Sequence, residues 1–307
     1  MLDLVIIGGG PAGVAAGVYA ARKQLKSHLV TYEFGGQSTV STGIQNWIGT
    51  VEIPGLELAE NLKKHLFAYK GDFVEVTEGD KVNAVEKKDD HYIVKTQNGL
   101  ALETKTVLMT AGSHRRQLGV PGADKFEHRG VTYCASCDGP MFGKQDVVVV
   151  GGGNAAFESA SQLLAYCKSV TLLQRGAEYR ADPSTVAAVL AHPNMKGFTN
   201  TEILSVEGDQ FVTGLTYKDS LTGEVHTIPC TGVFVEIGAL PSTEFLNGVV
   251  ELNKTGHIVT DPKTQRTSAP GIWAAGDCTD GLYHQNNIAV GDAVKALEDI
   301  YIAVKTS

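Results

Sequence analysis

The stretch Leu2-Asp3-Leu4-Val5-Ile6-Ile7-Gly8-Gly9-Gly10-Pro11-Ala12-Gly13 decides the fold of this chain. Residues 2–7 have the apolar pattern of a buried strand, and residues 11–22 carry small apolar side chains at helical spacing. Residues 27–32 are predicted to form a second strand. A strand, a glycine turn, a helix and another strand, in this order, predict a dinucleotide-binding site.

The glycines of this turn each have a physical task. Gly8 permits the tight turn, Gly10 lets the backbone approach a pyrophosphate, and Gly13 lets the helix pack closely. The free N–H groups at the start of the helix attract the anion. Glu33 stands 20 residues after Gly13, where an acidic residue is expected to bond a ribose hydroxyl. This context favours a nucleotide site over a purely structural turn.

A second copy of the pattern begins at residue 146. A predicted strand over 146–150 leads into Gly151-Gly152-Gly153-Asn154-Ala155-Ala156, and a predicted helix covers 154–165. Gly151 and Gly153 repeat the first turn, and Ala156 takes the place of the third glycine, which the pattern allows. The sequence therefore predicts two nucleotide sites.

The residues after the next predicted strand, 170–173, bear on the choice of nicotinamide nucleotide. An acidic residue at this strand end favours NADH, and arginines accommodate the 2′-phosphate of NADPH. Gln174 is neither. Arg175 and Arg180 are either a partial phosphate clamp or ordinary surface residues, and the sequence leaves both interpretations open.

A pair of cysteines, in Cys134-Ala135-Ser136-Cys137-Asp138, lies about 14 residues before the second glycine turn. Such a pair is a redox-active dithiol, half of a zinc site or two inert thiols. The other three cysteines are isolated, and the nine histidines lack metal spacing, which favours the dithiol. Asp138 is a candidate proton donor or acceptor, with a helix cap as the equal alternative.

The composition suits a protein of two medium domains. The chain has 307 residues and a formal charge of −8, which argues against sequence-independent nucleic-acid binding. No apolar run approaches the length that spans a bilayer, and the amino end shows no targeting pattern, so we expect a cytoplasmic protein without membrane contact.

A further predicted strand over 272–275 ends in Gly276-Asp277, and a closing helix is predicted over 288–304. We infer that the first nucleotide domain is interrupted by the second and completed by the carboxy-terminal segment. The expected fold is α/β, with two Rossmann-like three-layer domains, the second inserted in the first. The expected bounds are 1–113 with 242–307 for the first domain and 114–241 for the second.

With these residues in place, the chain resembles the low-molecular-weight thioredoxin reductases and the reductase portion of the alkyl hydroperoxide reductase flavoprotein. The resemblance covers nearly the whole chain and includes both glycine turns, the cysteine pair, Asn46-Trp47 and Gly276-Asp277. It implies FAD in the first domain and NADPH or NADH in the second. Further FAD residues implied by the resemblance are Gly36, Gln37, Asn46, Asp277, Gln285 and Asn286.

The resemblance also implies a reaction. Reduced nicotinamide reduces FAD, which opens the disulfide between Cys134 and Cys137; Cys137 would face the flavin and Cys134 would attack the partner. The partner is expected to be thioredoxin or a thioredoxin-like protein, separate from this chain. A homodimer is implied, as is rotation of the inner domain about hinges near residues 114–121 and 238–242.

The chain departs from the family at the loop that follows residue 173. NADPH-specific members carry His-Arg-Arg and a third Arg at the positions of Gln174, Arg175, Gly176 and Arg180, while the hydroperoxide reductase pattern has Glu at Gln174. Nicotinamide preference therefore stays open. Three alternative functions also stay open: a ferredoxin-dependent reductase, a dithiol oxidase that passes electrons to oxygen, and a non-catalytic redox sensor.

Overall fold

A computed structural model describes residues 1–41, 43–246 and 248–306. The chain divides into two compact units. Unit 1 comprises Met1–His114 and Leu240–Ser307, and unit 2 comprises Arg115–Ala239. Unit 2 is thus an insertion in the chain of unit 1.

The strands and helices follow one another in chain order. The first strands are β1 (Leu2–Gly9), β2 (Ser27–Phe34), β3 (Val74–Glu78), β4 (Val82–Lys87), β5 (Tyr92–Thr96) and β6 (Ala101–Met109). The next are β7 (Ser113–Arg115), β8 (Val131–Thr132), β9 (Asp146–Val150), β10 (Ser169–Leu173), β11 (Met195–Phe198) and β12 (Thr201–Gly208). The last are β13 (Val212–Asp219), β14 (Val225–Pro229), β15 (Gly232–Val235), β16 (Ala239–Pro241) and β17 (Ile272–Ala274). The helices are α1 (Pro11–Arg22), α2 (Gly55–Tyr69), α3 (Ala135–Asp138), α4 (Asn154–Leu163), α5 (Pro183–Leu190) and α6 (Asn286–Thr306).

Unit 1 is built on a seven-stranded sheet in the order β3-β2-β1-β6-β5-β4, with β17 also paired to β6. The pairs that involve β1, β2, β3 and β17 are parallel, and β4 and β5 are antiparallel additions. Side chains alternate along β1 because successive residues of a strand face opposite sides. Leu4 and Ile6 pack among residues of α1, α2 and α6, while Val5 and Ile7 pack on the other face with residues of β5 and β6.

Unit 2 has two sheets. A parallel sheet runs in the order β11-β10-β9-β15-β8, and an antiparallel sheet contains β12, β13 and β14. Val147 and Val149 pack with residues of α4, while Val148 and Val150 pack with residues of the antiparallel sheet. Unit 2 therefore has a helix layer, a parallel sheet and an antiparallel sheet. The chain segments that join the units include β7 and β16, which pair with each other.

Most predicted elements match within a few residues. In unit 1, β6 begins at Ala101, and residues 101–104 pair with antiparallel β5. The predicted helix over 154–165 ends at Leu163, where Ala165 N–H bonds only three residues back, to Gln162 O. In the described parts of the chain, no helix combines the length and apolarity needed to cross a membrane.

Candidate active site

A cleft of about 750 Å³ opens in unit 1. Its walls include residues at the carboxyl ends of β1, β2, β6 and β17. This edge is where parallel α/β sheets bind ligands. The predicted FAD residues that line the cleft are Gly8, Gly10, Glu33, Gly36, Gln37, Asp277 and Asn286.

The glycines of the first turn differ in their surroundings. Gly8 has a φ of +116°, and a Cβ there would lie 2.3 Å from Thr110 O. A Cβ on Gly13 would lie 1.8 Å from Gly8 O, so only glycine lets α1 approach β1 this closely. A Cβ on Gly10 would meet nothing within 4 Å. The backbone at the start of α1 is therefore open toward the cleft, which fits a pyrophosphate.

Asn46 and Gln285 do not line the cleft, and neither does Gly13, which packs below the turn. Asn46 Nδ2 donates a hydrogen bond to Gln285 Oε1 at 3.1 Å. Next to Gln285, Asn286 lines the cleft, and its Oδ1 accepts a hydrogen bond from Ser38 Oγ at 3.1 Å. The structure thus brings the predicted residues of the 36–46 segment and the start of α6 together.

Sequence reasoning missed the turn after β3, which adds Asp80 and Lys81 to the cleft. A hydrogen bond with Thr96 and backbone N–H groups of neighbouring residues hold the pKa of Asp80 below its usual value. Lys81 Nζ lies 4.5 Å from the ring centroid of Tyr32, which also lines the cleft. No local sequence pattern predicts that these residues line the cleft. They reach it because β3, which precedes them, pairs with β2 in the sheet.

The second glycine turn of unit 2 follows β9. A Cβ on Gly151 would lie 2.3 Å from Glu236 O, while Gly153 has nothing within 4 Å of its would-be Cβ. Ala156 is fully buried and faces the core with other residues of α4. The turn has the same open backbone as the first one, at the start of a ten-residue helix.

Gln174 is buried, with 9% of its surface exposed, and its Nε2 donates to Glu178 O at 3.1 Å. A Cβ on Gly152 would lie 2.5 Å from Gln174 Cδ, so this side chain packs under the glycine turn. Arg175 and Arg180 are exposed, and Arg180 N–H donates to Gly152 O at 2.7 Å. Arg180 is therefore attached to the turn through its backbone, and the side chains of both arginines are available to a ligand.

Cys134 and Cys137 form a disulfide, with their Cα atoms 5.3 Å apart. Cys134 follows β8, so the disulfide lies at the carboxyl edge of the parallel sheet that also carries the Gly151 turn. The backbone N–H of Cys137 donates to Cys134 Sγ at 3.2 Å. A hydrogen bond of this kind stabilises a thiolate.

Asp138 ends α3, and Thr132 Oγ1 donates a hydrogen bond to its Oδ2. Its side chain makes no capping hydrogen bond to the 3₁₀ helix that follows, Gly139–Phe142, which weighs against the cap interpretation. Burial raises the pKa of Asp138, although the Thr132 hydroxyl and the nearby His128 act in the opposite direction. The carboxyl group therefore keeps its proton to a higher pH than an exposed aspartate does.

The remaining cysteines, Cys167, Cys230 and Cys278, are free and buried. Burial raises the pKa of Cys167 to about 11 and those of Cys230 and Cys278 to about 12. Thiols with such pKa values are unreactive at neutral pH. Within residues 1–41, 43–246 and 248–306, no three His, Cys, Asp or Glu side chains converge in a geometry that would hold a metal ion.

The family of this chain follows from comparison with known proteins. The family model described as pyridine nucleotide-disulphide oxidoreductase matches residues 2–296, so the chain belongs to this family. The structure is similar to thioredoxin reductase from Streptococcus pyogenes, with a TM-score of 0.90 and 34% identity over 100% of this chain and 99% of that one. It is also similar to thioredoxin reductase from Giardia duodenalis, with a TM-score of 0.90 and 30% identity over 98% and 99%.

Two curated relatives have other names. A protein of Bacillus subtilis named NADH dehydrogenase is 40% identical over 294 residues, or 96% of this chain and 57% of that protein. A protein of Pseudomonas aeruginosa named as a component of alkyl hydroperoxide reductase is 39% identical over 295 residues, or 96% of this chain and 56% of that protein. The chain thus spans little more than half the length of the curated relatives it matches.

These findings confirm the predicted family resemblance and the predicted α/β fold class. The chain is an oxidoreductase of a flavoprotein family, and membership implies FAD and NADPH or NADH as cofactors. The residues present fit both groups, since each unit has a glycine turn with an open backbone at the start of a helix. In unit 1 that turn forms part of the cleft wall.

Proposed function

We propose that this protein is a thioredoxin-disulfide reductase. It passes electrons from NADPH or NADH, through FAD, to the Cys134–Cys137 disulfide and then to the disulfide of thioredoxin or a thioredoxin-like protein. The observation that carries the proposal is the position of this disulfide, at the same sheet edge as the second glycine turn. The similarity to solved thioredoxin reductases over the whole chain supports it.

The proposal assigns FAD to unit 1 and the nicotinamide nucleotide to unit 2. In unit 1 the open backbone at Gly10 would hold the pyrophosphate, and Glu33 would bond a ribose hydroxyl. Asp277 and Asn286 would hold the flavin side of the same molecule. In unit 2 the backbone at Gly153 would hold the pyrophosphate of the nicotinamide nucleotide.

FAD, when bound, supplies the exchange of an electron pair between the nicotinamide and the disulfide. Two electrons and two protons convert Cys134–Cys137 into two thiols. The Cys134 thiolate then attacks the acceptor disulfide, which forms a mixed disulfide and releases one acceptor thiolate. Attack by Cys137 on Cys134 restores the internal disulfide and releases the second acceptor thiol.

The contacts of the dithiol support these roles. The Cys137 N–H would stabilise negative charge on Cys134 Sγ, which supports Cys134 as the attacking thiolate. Asp138 would carry protons to and from the sulfurs, because burial raises its pKa and so lets the carboxyl group keep its proton to a higher pH than an exposed aspartate does. The Thr132 hydroxyl would hold its carboxyl group in place.

Stopped-flow mixing of the FAD-loaded protein with NADH and with NADPH tests the proposal. Bleaching of the flavin followed by multiple turnovers with thioredoxin is the expected result. No bleaching by either nucleotide would exclude nicotinamide as the donor and would favour a ferredoxin-dependent route. A single turnover without release would favour a redox sensor, and oxygen consumption with a dithiol substrate would favour an oxidase.

A second candidate is an NADH-dependent donor for an alkyl hydroperoxide reductase system. The 39% identity to the Pseudomonas aeruginosa protein over nearly the whole chain favours it, as does the lack of a complete arginine set after Leu173. Initial rates with both nucleotides and a panel of thioredoxin-like acceptors separate the two candidates. A cytoplasmic location and a homodimer belong to our proposal as well, and light scattering tests the dimer.

A further inference from the structure

Glu236 is a buried carboxyl group of unit 2 that the proposed mechanism does not use. It follows β15 directly and has 9% of its surface exposed. Its Oε1 accepts a hydrogen bond from Ser159 Oγ at 2.7 Å, and its Oε2 lies 3.8 Å from Arg115 Nη1. Burying a carboxyl group costs stability unless hydrogen bonds and an opposite charge compensate, and Ser159 and Arg115 are the compensating groups here.

The position of Glu236 is that of a ligand-binding residue. β9 lies between β10 and β15, and β15 lies between β9 and β8, so the strand order changes direction at the β9–β15 pair. Ligands of open α/β sheets bind outside the carboxyl ends of the strands at such a point. Val235 pairs with Val150, and Glu236 N–H donates to Val150 O at 2.8 Å. Glu236 is therefore the neighbour of Gly151 across this crevice.

The backbone of Glu236 is in direct contact with the glycine turn. A Cβ on Gly151 would lie 2.3 Å from Glu236 O, so the two backbones touch. The next strand, β8, leads into the Cys134–Cys137 segment. Because adjacent strands are about 5 Å apart, Glu236 lies between the nucleotide turn and the start of the dithiol segment.

The charges that face Glu236 come from two elements. Arg115 of β7 favours the ionised form, and the Ser159 hydroxyl of α4 donates to it. Glu158, also of α4, opposes ionisation. Burial is the largest influence and raises the pKa of Glu236 above its usual value. The carboxyl group of Glu236 therefore keeps its proton to a higher pH than an exposed glutamate does.

We propose that Glu236 is a further residue of the nucleotide site in unit 2, and that its ionised carboxylate weakens the binding of the anionic dinucleotide. The inference rests on the proposed function, in which the Gly151 turn binds NADPH or NADH. Like charges across a partly buried crevice repel, whereas the neutral acid does not oppose the pyrophosphate. Affinity is therefore highest below the pKa of Glu236 and falls as the pH rises through it.

The test measures dissociation constants between pH 5.5 and 9 by calorimetry on the oxidised, FAD-loaded full chain. The probes are NAD⁺ and NADP⁺, which bind without reducing the flavin. Glu236→Gln keeps the side-chain shape and an acceptor for Ser159 but has no charge. We expect its affinity to exceed that of the wild type by about tenfold at pH 9, and the difference to shrink as the pH falls toward the raised pKa of Glu236. Glu202→Gln, at an exposed position of β12, is the matched charge control and should follow the wild type.

A second variant keeps the inference testable if Glu236→Gln does not fold. Ser159→Ala removes a donor to the ionised carboxylate, so the pH at which affinity falls should move upward. Equal pH profiles for the wild type, Glu236→Gln and Ser159→Ala would overturn the inference while leaving the proposed function intact. A wild type that binds neither nucleotide at any pH would overturn both.

Discussion

Asp138 shows how one buried side chain makes the proposed reaction depend on pH. Its carboxyl group accepts a hydrogen bond from Thr132, and burial raises its pKa. A raised pKa means that the proton is present at low pH and is lost as the pH rises through that value. If the proton is donated to a leaving thiolate, thioredoxin reduction should slow over the same range.

We predict that Asp138→Asn lowers the rate of disulfide reduction by about 10²- to 10⁴-fold, the usual contribution of a general acid or base, and flattens its pH profile. Steady-state rates with a disulfide acceptor across pH 5.5–9 provide the measurement. Reduction of the flavin by nicotinamide should be unchanged. A variant with an unaltered pH profile would show that Asp138 only positions the cysteine segment.

Cys137 and Cys167 offer a matched pair of cysteine substitutions in unit 2. Cys137→Ser should abolish disulfide reduction and leave bleaching of the flavin by nicotinamide intact, because the change removes only the later electron acceptor. Cys167→Ala should leave both reactions intact, since that thiol is free and buried. Stopped-flow absorbance at the flavin band follows the first reaction and thiol release follows the second. Loss of bound FAD in Cys137→Ser would indicate a structural cysteine instead.

At the scale of elements, two glycines of the β1–α1 turn have different roles: Gly13 serves packing and Gly10 serves binding. A Cβ at position 13 would lie 1.8 Å from a backbone oxygen, whereas one at position 10 enters open space. We predict that Gly13→Ala destabilises the protein by about 1 to 3 kcal/mol, the usual cost of overpacking. Gly10→Ala should leave the melting temperature of the FAD-free protein nearly unchanged and weaken FAD binding. Thermal unfolding and FAD fluorescence titrations measure the two effects, and equal losses of stability would contradict the division of roles.

The loop after β10 carries the choice between NADH and NADPH. Gly176 does not have a positive φ, and a Cβ there would lie 3.3 Å from Gln174 Nε2. We predict that Gly176→Arg raises the kcat/KM ratio of NADPH to NADH by about tenfold, because a charge-assisted hydrogen bond contributes about 1.5 to 3 kcal/mol. Gly176→Gln, which adds bulk without charge, is the control. An unchanged ratio would show that the 2′-phosphate is not read by this loop.

The elements that the sequence predicts well are those that form from neighbouring residues. The glycine turns, α1 and β9 have local patterns of spacing and composition, and their bounds agree closely with prediction. The contact of Asn46 with Gln285 joins residues far apart in the chain, and only the assembled unit shows it. The same holds for Asp80 in the cleft wall and for Glu236 beside Gly151. Strand order creates these neighbours, and no short pattern encodes it.

At the scale of the whole molecule, the two ends of unit 1 that flank the inserted unit 2 lie next to each other. Ser242 N–H donates to Gly112 O at 3.0 Å, so the residues that flank the insertion are adjacent within unit 1. The described residues that line the cleft all belong to unit 1. Unit 1 also has its own core, in which Leu4 and Ile6 pack with residues of α6 from beyond the insertion.

We therefore predict that unit 1 binds FAD without unit 2. Replacing residues 115–239 by a short Gly-Ser linker between His114 and Leu240 should give a cooperatively unfolding protein with a flavin absorption spectrum. Its flavin should be reduced by dithionite but not by NADPH or NADH, because the second glycine turn is absent. Adding Gly10→Ala to this shortened chain should weaken FAD binding as in the full chain. A folded unit 1 that takes up no FAD would show that the cleft alone is not the flavin site, and reduction by nicotinamide would place the nucleotide site outside unit 2.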